Sequence, residues 1–511
     1  MAYPANANDS YAAGLAAARQ GRHAEAIVQF ERALAERPND ARVLFALGNT
    51  ASAIGHDDAA ESFFRRVLAQ SPDRLEALVN LANLLRKRGK TAVTVALLKP
   101  ALERNPAQAE LWLTLGSALR ESGDAATAEI FYRETLRLQP GNAAARGNLG
   151  DMLADRGGVD EALALYADAL AHEPENAQAR LNHAVLLLLK GDFDRGWRDY
   201  EYRLAIPERT IHADHGLPPW NGGVTEGLRL LVTAEQGIGD QIMFASPIGQ
   251  LAERLSKGGG RLFLECEPRL APLFARSFPN VLVHAAEMQR RGGRIQARYD
   301  WLSAYGGAHA AVAIGSLPRL MRTRLADFPA PLFYLAPDAH ERETWTRWLH
   351  ANATGPFIGL CWRSGSVGGL RNRQYAPLEA WAAFIAKLPG TPVSLQYDPQ
   401  TDEIATLQRL SGRMILVPPG LDQKQEIERT ASLISALDGT VSAPTSVSWI
   451  AAGLGLPTLK ILYNNSWTAF GCAYEPFAPS ARCMMPDNPG DWTDAFAKAA
   501  EELKTFPVRP A

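Results

Sequence analysis

The chain has 511 residues, with 53 lysines and arginines, 55 aspartates and glutamates, and a formal net charge of −2. This length predicts about three domains, and the balanced charge argues against a surface that attracts nucleic acid or an acidic membrane. The four cysteines are too far apart in sequence for a disulfide framework or a metal motif. No signal segment opens the sequence and no apolar run is long enough to span a bilayer, so we expect a cytoplasmic protein without membrane insertion.

Prolines recur at a constant interval in the first third of the chain. They stand 34 residues apart, at Pro38, Pro72, Pro106, Pro140 and Pro174. In six windows of this length, starting at positions 7, 41, 75, 109, 143 and 177, the eighth residue is small and the twenty-fourth is large. Small residues let the two helices of a hairpin approach, large ones fill the gap between hairpins, and proline ends the second helix. The period predicts six helical hairpins over residues 1–205, with a local kink at Pro100.

This pattern resembles the tetratricopeptide repeat, and it implies a binding groove lined by the first helix of each hairpin. The sixth and ninth window positions include Asn49, Asn80, Asn83, Asn148 and Asn182. Amide side chains can hydrogen-bond the backbone of an extended peptide whatever its sequence. The ladder resembles that of the O-linked N-acetylglucosamine transferases, and it predicts a protein ligand. The alternative is that these asparagines are solvated helix residues near caps.

A stretch rich in proline and glycine, residues 206–227, predicts a linker. After it, the hydrophobic pattern of the sequence changes. Short apolar runs alternate with amphipathic helices, and the predicted strands are residues 228–233, 261–266, 281–284, 357–362, 392–396, 413–417, 440–442 and 458–462. Alternation of this kind indicates parallel sheets and crossover helices. We therefore expect two Rossmann-like domains, residues 228–340 and 341–511, that bind a ligand at the carboxyl ends of their strands.

A glycine turn follows the first of these strands. Gly237 and Gly239 let the backbone turn tightly, and the helix that opens at Asp240 offers amides and a positive dipole end to an anion. A dinucleotide oxidoreductase is an alternative, with Glu265 or Glu267 as the ribose-binding carboxylate. It is disfavoured because Ile242 stands where the third glycine of that motif belongs.

The turn E-Q-G-x-G-D, the segment SLPRL, the strand end VSLQYD and the block ISALDGTVSAPTSVSWIAAGLGLP occur in this order along the chain. Together they resemble bacterial repeat proteins fused to a GT-B glycosyltransferase related to the heptosyltransferases. The segments IGLCWRSG and APTSVSWIAAGLG most resemble the flagellin-modifying enzymes of that group. The resemblance implies that the repeats hold flagellin and that the catalytic half transfers a nonulosonic acid, such as pseudaminic acid, from a CMP donor to serine or threonine.

Sugar transfer needs a base for the acceptor hydroxyl. The resemblance makes Asp240 the candidate base, because family members carry an acidic residue at this turn. An N-cap role is the alternative for Asp240. Glu235 is a second candidate base, for which a structural role is favoured.

Sugar transfer also needs groups for the departing phosphate and a nucleotide pocket. The resemblance places a basic residue at Arg363, and Arg371 and Arg373 follow in a glycine-rich loop; guanidinium groups match phosphate oxygens. The remaining candidates for nucleotide or phosphate binding are polar side chains at strand and helix ends, namely Gln396, Tyr397, Thr445 and Ser446. For Thr445 and Ser446 a helix cap alone is the alternative.

The chain departs from the simple heptosyltransferases at one block, where they have Asp-Thr-Gly-x-x-His. Here Pro444 replaces the aspartate and Trp449 the histidine, which puts a heptose donor on ADP in doubt. Trp449 either shapes a different sugar pocket or belongs to the core. No Asp-x-Asp motif occurs in the catalytic half, and His212 and His215 lie in the linker, so we expect neither a metal nor a cofactor.

Two further functions stay open. The same departures are compatible with a scaffold or chaperone whose transferase half is inactive. A heptosyltransferase-like enzyme of cell-surface glycan assembly is the other, although that function would leave the repeat array without a role.

Overall fold

The computed structural model describes residues 7–206, 212–213, 215–235, 237–291, 294–328, 333–365, 373–398 and 401–506. The chain forms two compact units, Met1–Met152 and Leu153–Ala511. The division falls inside a helix of the repeat region, so the last predicted hairpins belong to the same unit as the sheets.

Paired helices fill the repeat region at the predicted interval. They are α1 (Ala7–Arg19), α2 (His23–Glu36), α3 (Ala41–Ala53), α4 (Asp57–Gln70), α5 (Leu75–Lys87), α6 (Thr91–Arg104), α7 (Ala109–Ser122), α8 (Ala125–Leu138), α9 (Ala143–Asp155), α10 (Val159–His172), α11 (Ala177–Leu189) and α12 (Phe193–Tyr200). Helices α2, α4, α6, α8 and α10 each end two residues before a periodic proline. Helix α6 continues through Pro100, so the proline does not break it.

Glycines with a left-handed backbone make the turn within each hairpin. They recur at the same period, at Gly21, Gly55, Gly89, Gly123, Gly157 and Gly191, with φ between 70° and 103°. Residues with a Cβ rarely adopt this conformation, so glycine is needed at each turn. This second periodic signal was not used in the sequence analysis.

The small and large positions of the repeat contact each other as predicted. In the first unit, a Cβ placed on Gly14 would lie 2.5 Å from Phe30 Cε1, and one on Gly48 would lie 2.6 Å from Phe64 Cε1. Both phenylalanines are buried. The hairpins are therefore held by close contact between a helix backbone and an aromatic ring.

The second unit begins with the last repeat helices, whose aromatic side chains enter its core. Trp197 is buried, and its indole N–H donates to the carbonyl oxygen of Arg322 over 3.1 Å. Trp197 and Tyr200 also contact the ring of Trp467. The last repeat helix thus packs directly against the α/β region within the second unit.

Three sheets form in the second unit within the described residues. Their strands are β1 (His212–Ala213), β2 (Arg229–Thr233), β3 (Arg261–Cys266), β4 (Leu282–Ala285), β5 (Met288–Arg291), β6 (Arg294–Ala297), β7 (Ala310–Ala313), β8 (Phe357–Cys361), β9 (Thr391–Ser394), β10 (Gly439–Ser442), β11 (Thr458–Ile461) and β12 (Ala481–Met484). One sheet has the order β4-β3-β2-β7 and another β12-β11-β10-β8-β9, both with parallel pairs throughout. A small third sheet has the order β1-β6-β5.

The predicted strand at residues 413–417 is wrong, because only an isolated bridge joins Leu416 to Val393 there. Strands β7 and β12 and the hairpin β5–β6 were not predicted. The predicted linker also contributes to the fold, since Trp220 is buried and its backbone N–H donates to Ala311 of β7.

The remaining helices cover the parallel sheets. They are α13 (Ile238–Phe244), α14 (Ile248–Lys257), α15 (Ala271–Ser277), α16 (Leu317–Met321), α17 (Ala339–Asn352), α18 (Leu378–Ile385), α19 (Thr401–Ser411), α20 (Ile427–Ser435), α21 (Ser446–Gly453) and α22 (Trp492–Leu503). Strands β2, β3, β8 and β10 are buried along almost their whole length, as expected for parallel strands covered on both faces.

Candidate functional site

A cavity of about 570 Å³ lies in the second unit, beyond the carboxyl ends of both parallel sheets. The lining residues that come within a few positions after a strand include Ala234 and Glu235 after β2, Glu267 after β3, Ser364 and Gly365 after β8, Tyr397 after β9, and Pro444 to Ser446 after β10. This is the position at which parallel α/β sheets bind ligands. Its volume is within the usual range for small-molecule sites.

The glycine turn lies on this cavity, as predicted. Gly237 has φ of +88°, and a Cβ placed on it would lie 2.4 Å from Asp240 Oδ2, so the carboxylate folds back over the glycine. Asp240 is the third residue of α13, whose N-cap is Gly237, so the alternative N-cap role for Asp240 is wrong. Gly239 faces α21, because a Cβ there would lie 3.5 Å from Trp449 Cδ1 and 3.6 Å from Ser446 Cα. These are ordinary van der Waals distances, so the packing of α13 against α21 does not itself require glycine at 239.

Glu235 also lines the cavity, but its carboxylate is held in an ion pair. Arg203 Nε and Nη2 lie 2.9 and 3.0 Å from the two carboxylate oxygens, and the backbone N–H of Gly315 donates to one of them. The Arg203 side chain is buried. Both carboxylate oxygens are thus occupied by donors of the protein, which fits the structural role favoured for Glu235.

Gln241 ties the glycine turn to the neighbouring strand. Its side chain is buried, its amide N–H donates to the carbonyl of Glu235, and its amide oxygen accepts from the backbone N–H of Glu267 over 2.9 Å. Both ends of the amide are therefore used in fixing the position of the turn.

Glu265, considered above as a ribose ligand, lies behind the turn and is buried. One carboxylate oxygen accepts from Ala234 N–H and from the Tyr299 hydroxyl, each over 3.1 Å. The other oxygen, Oε1, has no hydrogen-bond partner among the described residues. Burial raises the pKa of Glu265 to about 7. A carboxylate in this position does not reach a ligand in the cavity.

The guanidinium of Arg363 forms an ion pair with Glu403 and does not line the cavity. Its Nε and Nη2 lie 2.7 and 2.9 Å from the two carboxylate oxygens of Glu403, and both side chains are mostly buried. Arg373 does not line the cavity either. Arg371 lies outside the described residues. Neither Arg363 nor Arg373 is therefore among the residues that line the cavity.

Of the polar side chains predicted for the nucleotide, two differ in their surroundings although they are adjacent. Gln396 is buried, and its amide oxygen accepts from the backbone N–H groups of Trp362 and Arg363 over 3.0 and 3.1 Å. It therefore holds the end of β8. Tyr397 lines the cavity, and its hydroxyl lies 3.3 Å from Ser364 Oγ.

Thr445 and Ser446 lie on the cavity at the start of α21, as predicted. Thr445 is the N-cap residue, but its side chain does not cap the helix, because its hydroxyl lies 3.5 Å from Cys361 Sγ and 3.4 Å from Ser442 Oγ. Trp449 lines the cavity while being mostly buried, and its ring lies 4.3 Å from Lys460 Nζ. Trp449 is thus both a core residue and a cavity wall.

Two basic residues on the cavity were missed by the sequence analysis. Among the described lining residues, only Arg269 and Lys424 are basic. Arg269 follows β3 by three residues, so the rule that ligands bind beyond strand ends was a usable signal for it. Lys424 lies in a loop between α19 and α20 and carries no such signal.

Some asparagines of the predicted groove are hydrogen-bonded to the next repeat. In the first unit, Asn80 Nδ2 donates to Asn49 Oδ1 over 2.7 Å, and Asn148 Nδ2 lies 3.3 Å from Ser117 Oγ. Each bond joins the ninth window position of one repeat to the sixth position of the next. The side chain of Asn83 accepts from Arg86 over 3.0 Å.

In the second unit, Asn182 Nδ2 lies 3.3 Å from the Tyr166 hydroxyl, and its amide oxygen accepts from Gln178. Like the asparagines of the first unit, Asn182 lies on the first helix of its hairpin. Side-chain amides of the predicted groove are therefore used in part for hydrogen bonds within the array.

Comparison with known proteins identifies the repeats. Two family models described as tetratricopeptide repeat match, one over residues 17–82 and the other over residues 79–143 and 148–206. The amino-terminal region is a tetratricopeptide-repeat array. Arrays of this kind generally mediate protein–protein binding.

A relative with a longer match is Protein FlbA of Caulobacter vibrioides, which is 33% identical over 314 residues. The match covers 61% of this chain and 52% of the relative, so the chain spans about half the length of that protein.

Solved structures similar to this chain include a thermophilic tetratricopeptide-repeat protein of Thermus thermophilus, with 29% identity, 36% of this chain and 99% of that chain covered, and a TM-score of 0.32. Another is MamA of Desulfovibrio magneticus, with 19% identity, 33% and 96% coverage, and a TM-score of 0.30.

The described ranges contain no group of three or more histidine, cysteine, aspartate or glutamate side chains placed to hold a metal ion. Within the same ranges, no helix combines the length and the apolar character needed to cross a bilayer.

Proposed function

We propose that this protein is a metal-independent glycosyltransferase of the GT-B type that modifies serine or threonine of a protein held by the repeats. The donor is a nucleotide sugar, with a CMP-linked nonulosonic acid such as pseudaminic acid as the first candidate, and flagellin is the first candidate acceptor. Modification takes place in the cytoplasm. The resemblance of four sequence blocks suggests these identities, and the position of the cavity carries the proposal.

The cavity supports transfer chemistry because a carboxylate and the amino-terminal end of a helix both line it. Asp240 lies on it beside the glycine turn, and Ser446 opens α21 at the same cavity. Backbone amides at a helix start, together with a hydroxyl, suit a phosphate. Tyr375 and Tyr397 also line the cavity, and aromatic rings of this kind can stack on a nucleobase.

In the proposed reaction, Asp240 accepts the proton of the acceptor hydroxyl as its oxygen attacks the anomeric carbon of the donor. The bond from that carbon to the phosphate oxygen breaks, and the nucleotide leaves with both electrons of that bond. Ser446 and the first amides of α21 stabilise the negative charge that develops on the phosphate. Attack opposite the leaving group inverts the anomeric centre.

A second candidate function is a scaffold without transferase activity. The observation that favours it is that Glu235 and Arg363 are held in ion pairs, so a candidate base and a candidate phosphate ligand both have partners within the protein. A scaffold binds the acceptor protein through the repeats but responds to no nucleotide.

The deciding experiment measures donor binding and transfer separately. Thermal shifts of the purified full-length protein with CMP, UDP, GDP and ADP report the nucleotide, since a ligand at about 100 times its dissociation constant adds about 2.7 kcal/mol to the folded state. Stabilisation by CMP alone supports the proposed donor, and stabilisation by another nucleotide retains the enzyme but rejects that donor. No response to any nucleotide supports the scaffold.

Matched variants then separate catalysis from acceptor binding. Asp240→Asn is expected to reduce transfer by about 10²- to 10⁴-fold, as for loss of a general base, without changing acceptor binding in a pull-down. The double variant Asn49→Ala with Asn80→Ala is expected to do the reverse, because it removes groove amides and leaves the cavity intact. Transfer by Asp240→Asn at the wild-type rate would show that Asp240 is not the base.

A further inference from the structure

Two basic side chains on the cavity are not used by the sequence-derived mechanism. They are Arg269, on the segment after β3, and Lys424, in the loop before α20. Each is paired with one carboxylate, Arg269 with Glu267 and Lys424 with Asp398. Their side chains are 29% and 49% exposed, so both can meet a ligand that enters from solvent. Arg363, to which the sequence analysis assigned the leaving phosphate, points to Glu403 instead.

The guanidinium of Arg269 is held rigidly at the cavity. Its Nε donates to Glu267 Oε1 over 2.7 Å, while its own backbone N–H donates to Glu267 Oε2 over 2.9 Å. Its Nη1 donates to the backbone oxygen of Lys424 over 2.9 Å. Its Nη2 makes no hydrogen bond to any residue in the described part of the chain.

This arrangement suits an incoming oxyanion. A guanidinium that is fixed on two sides loses little conformational freedom when its remaining N–H groups bind a ligand. The bond from Nη1 to the backbone of residue 424 brings the loop of Lys424 to the same place. The Lys424 ammonium lies 3.3 Å from Asp398 Oδ2, in a pair that is about half exposed and therefore weak.

We propose that Arg269 and Lys424 form the oxyanion subsite of the cavity and bind the phosphate of the nucleotide donor. This inference rests on the proposed function, in which a phosphate departs as the sugar is transferred. Arg269 supplies a directional N–H donor, and Lys424 supplies a mobile point charge that can leave Asp398 for the ligand. The carboxylate of an acidic sugar offers the same oxyanion chemistry, so it is the alternative source that the experiment distinguishes.

Calorimetric titration of the full-length protein tests the subsite with four probes, namely CMP, cytidine, inorganic pyrophosphate and N-acetylneuraminate. Arg269→Gln and Lys424→Gln are each expected to weaken CMP and pyrophosphate binding by about tenfold to a hundredfold, as for loss of a hydrogen bond to a charged group. Cytidine binding is expected to stay unchanged, and Arg269→Lys is expected to recover part of the affinity. Raising the salt concentration is expected to weaken CMP binding more in the wild type than in the variants.

Arg276→Gln is the matched control, because Arg276 lies on neighbouring α15 and pairs with Asp338 and Glu428 away from the cavity lining. Lys424→Gln is the variant less expected to misfold, since within the described residues its side chain contacts only Asp398, in an exposed pair. Thermal unfolding of each variant verifies that it is folded.

Each result has a defined meaning. Unchanged CMP and pyrophosphate affinity in both variants overturns the subsite while leaving the transferase proposal in place. Loss of N-acetylneuraminate binding with unchanged CMP binding overturns the phosphate assignment in favour of the sugar carboxylate. Failure of the wild type to bind either CMP or pyrophosphate, with or without binding of cytidine, overturns the subsite and rejects a CMP-linked donor. The thermal shifts with UDP, GDP and ADP then decide separately whether the transferase proposal stands.

Discussion

The buried carboxyl of Glu265 makes the stability of the second unit depend on pH in a predictable direction. In the folded protein burial raises its pKa from the ordinary value of 4.5 to about 7. As pH rises above the unfolded value, the unfolded chain ionises this group while the folded protein still keeps it protonated. The contribution of Glu265 is therefore fully present below about pH 4.5 and declines until the pH passes the folded pKa.

The expected size follows from proton linkage. Taking these two pKa values, the free energy of unfolding of the wild type falls by about 2.5 kcal/mol between pH 5 and pH 8 through this group alone. Glu265→Gln keeps an oxygen that can accept from Ala234 N–H and from the Tyr299 hydroxyl but cannot ionise. The variant is thus expected to gain about 2.5 kcal/mol on the wild type over the same interval.

Urea unfolding of both proteins, followed by tryptophan fluorescence at several pH values, measures this difference. Glu379→Gln is the control, because that carboxylate is exposed on α18. A difference between Glu265→Gln and the wild type that stays constant from pH 5 to pH 8 would refute the assignment of a raised pKa to Glu265. A difference that grows in the opposite direction would show that the folded protein favours the charged form.

Two further predictions concern packing and the ion pair at Arg363. Gly48→Ala is expected to destabilise the first unit by about 1–3 kcal/mol, because the added Cβ meets the Phe64 ring at 2.6 Å. By contrast, Gly147→Ala in the open face of α9 is expected to stabilise it by about 0.5–1 kcal/mol; equal effects in thermal unfolding would contradict this packing argument. Arg363→Gln is expected to cost about 2–3 kcal/mol without changing CMP affinity, and a double-mutant cycle with Glu403→Gln is expected to be strongly non-additive. If Arg363→Gln instead weakened CMP binding without loss of stability, Arg363 would be a phosphate ligand rather than a structural partner of Glu403.

The repeat array could be predicted closely because its determinants are local and periodic. The prolines stop helices two residues earlier, and the small residues at Gly14 and Gly48 meet the rings predicted to fill the hairpins. Most buried strands of the α/β region were also predictable, since continuous apolar runs of that length have few alternatives. The predicted strand at residues 413–417 failed because an apolar run indicates burial and β-propensity but does not supply a pairing partner.

Site residues were predicted unevenly for a physical reason. Positions on the glycine turn and at the start of α21 face the cavity because backbone geometry sets their direction. Long side chains are different. Arg363 could bind a phosphate or pair with Glu403, and Glu403 lies 40 residues away in sequence. Such a choice depends on distances between separate elements, which spacing along the chain does not contain.

The sequence by itself determined the period of the repeat, the ends of its helices, the parallel character of the later strands and the location of the glycine turn. These follow from backbone preferences and hydrophobic pattern over short distances. Only the tertiary structure decided that Arg203 neutralises Glu235, that Glu403 holds Arg363, and that Arg269 and Lys424 are the basic groups on the cavity. Charged side chains pair with groups that are distant in sequence, and the low dielectric of a folded interior strengthens the electrostatic interaction within each pair.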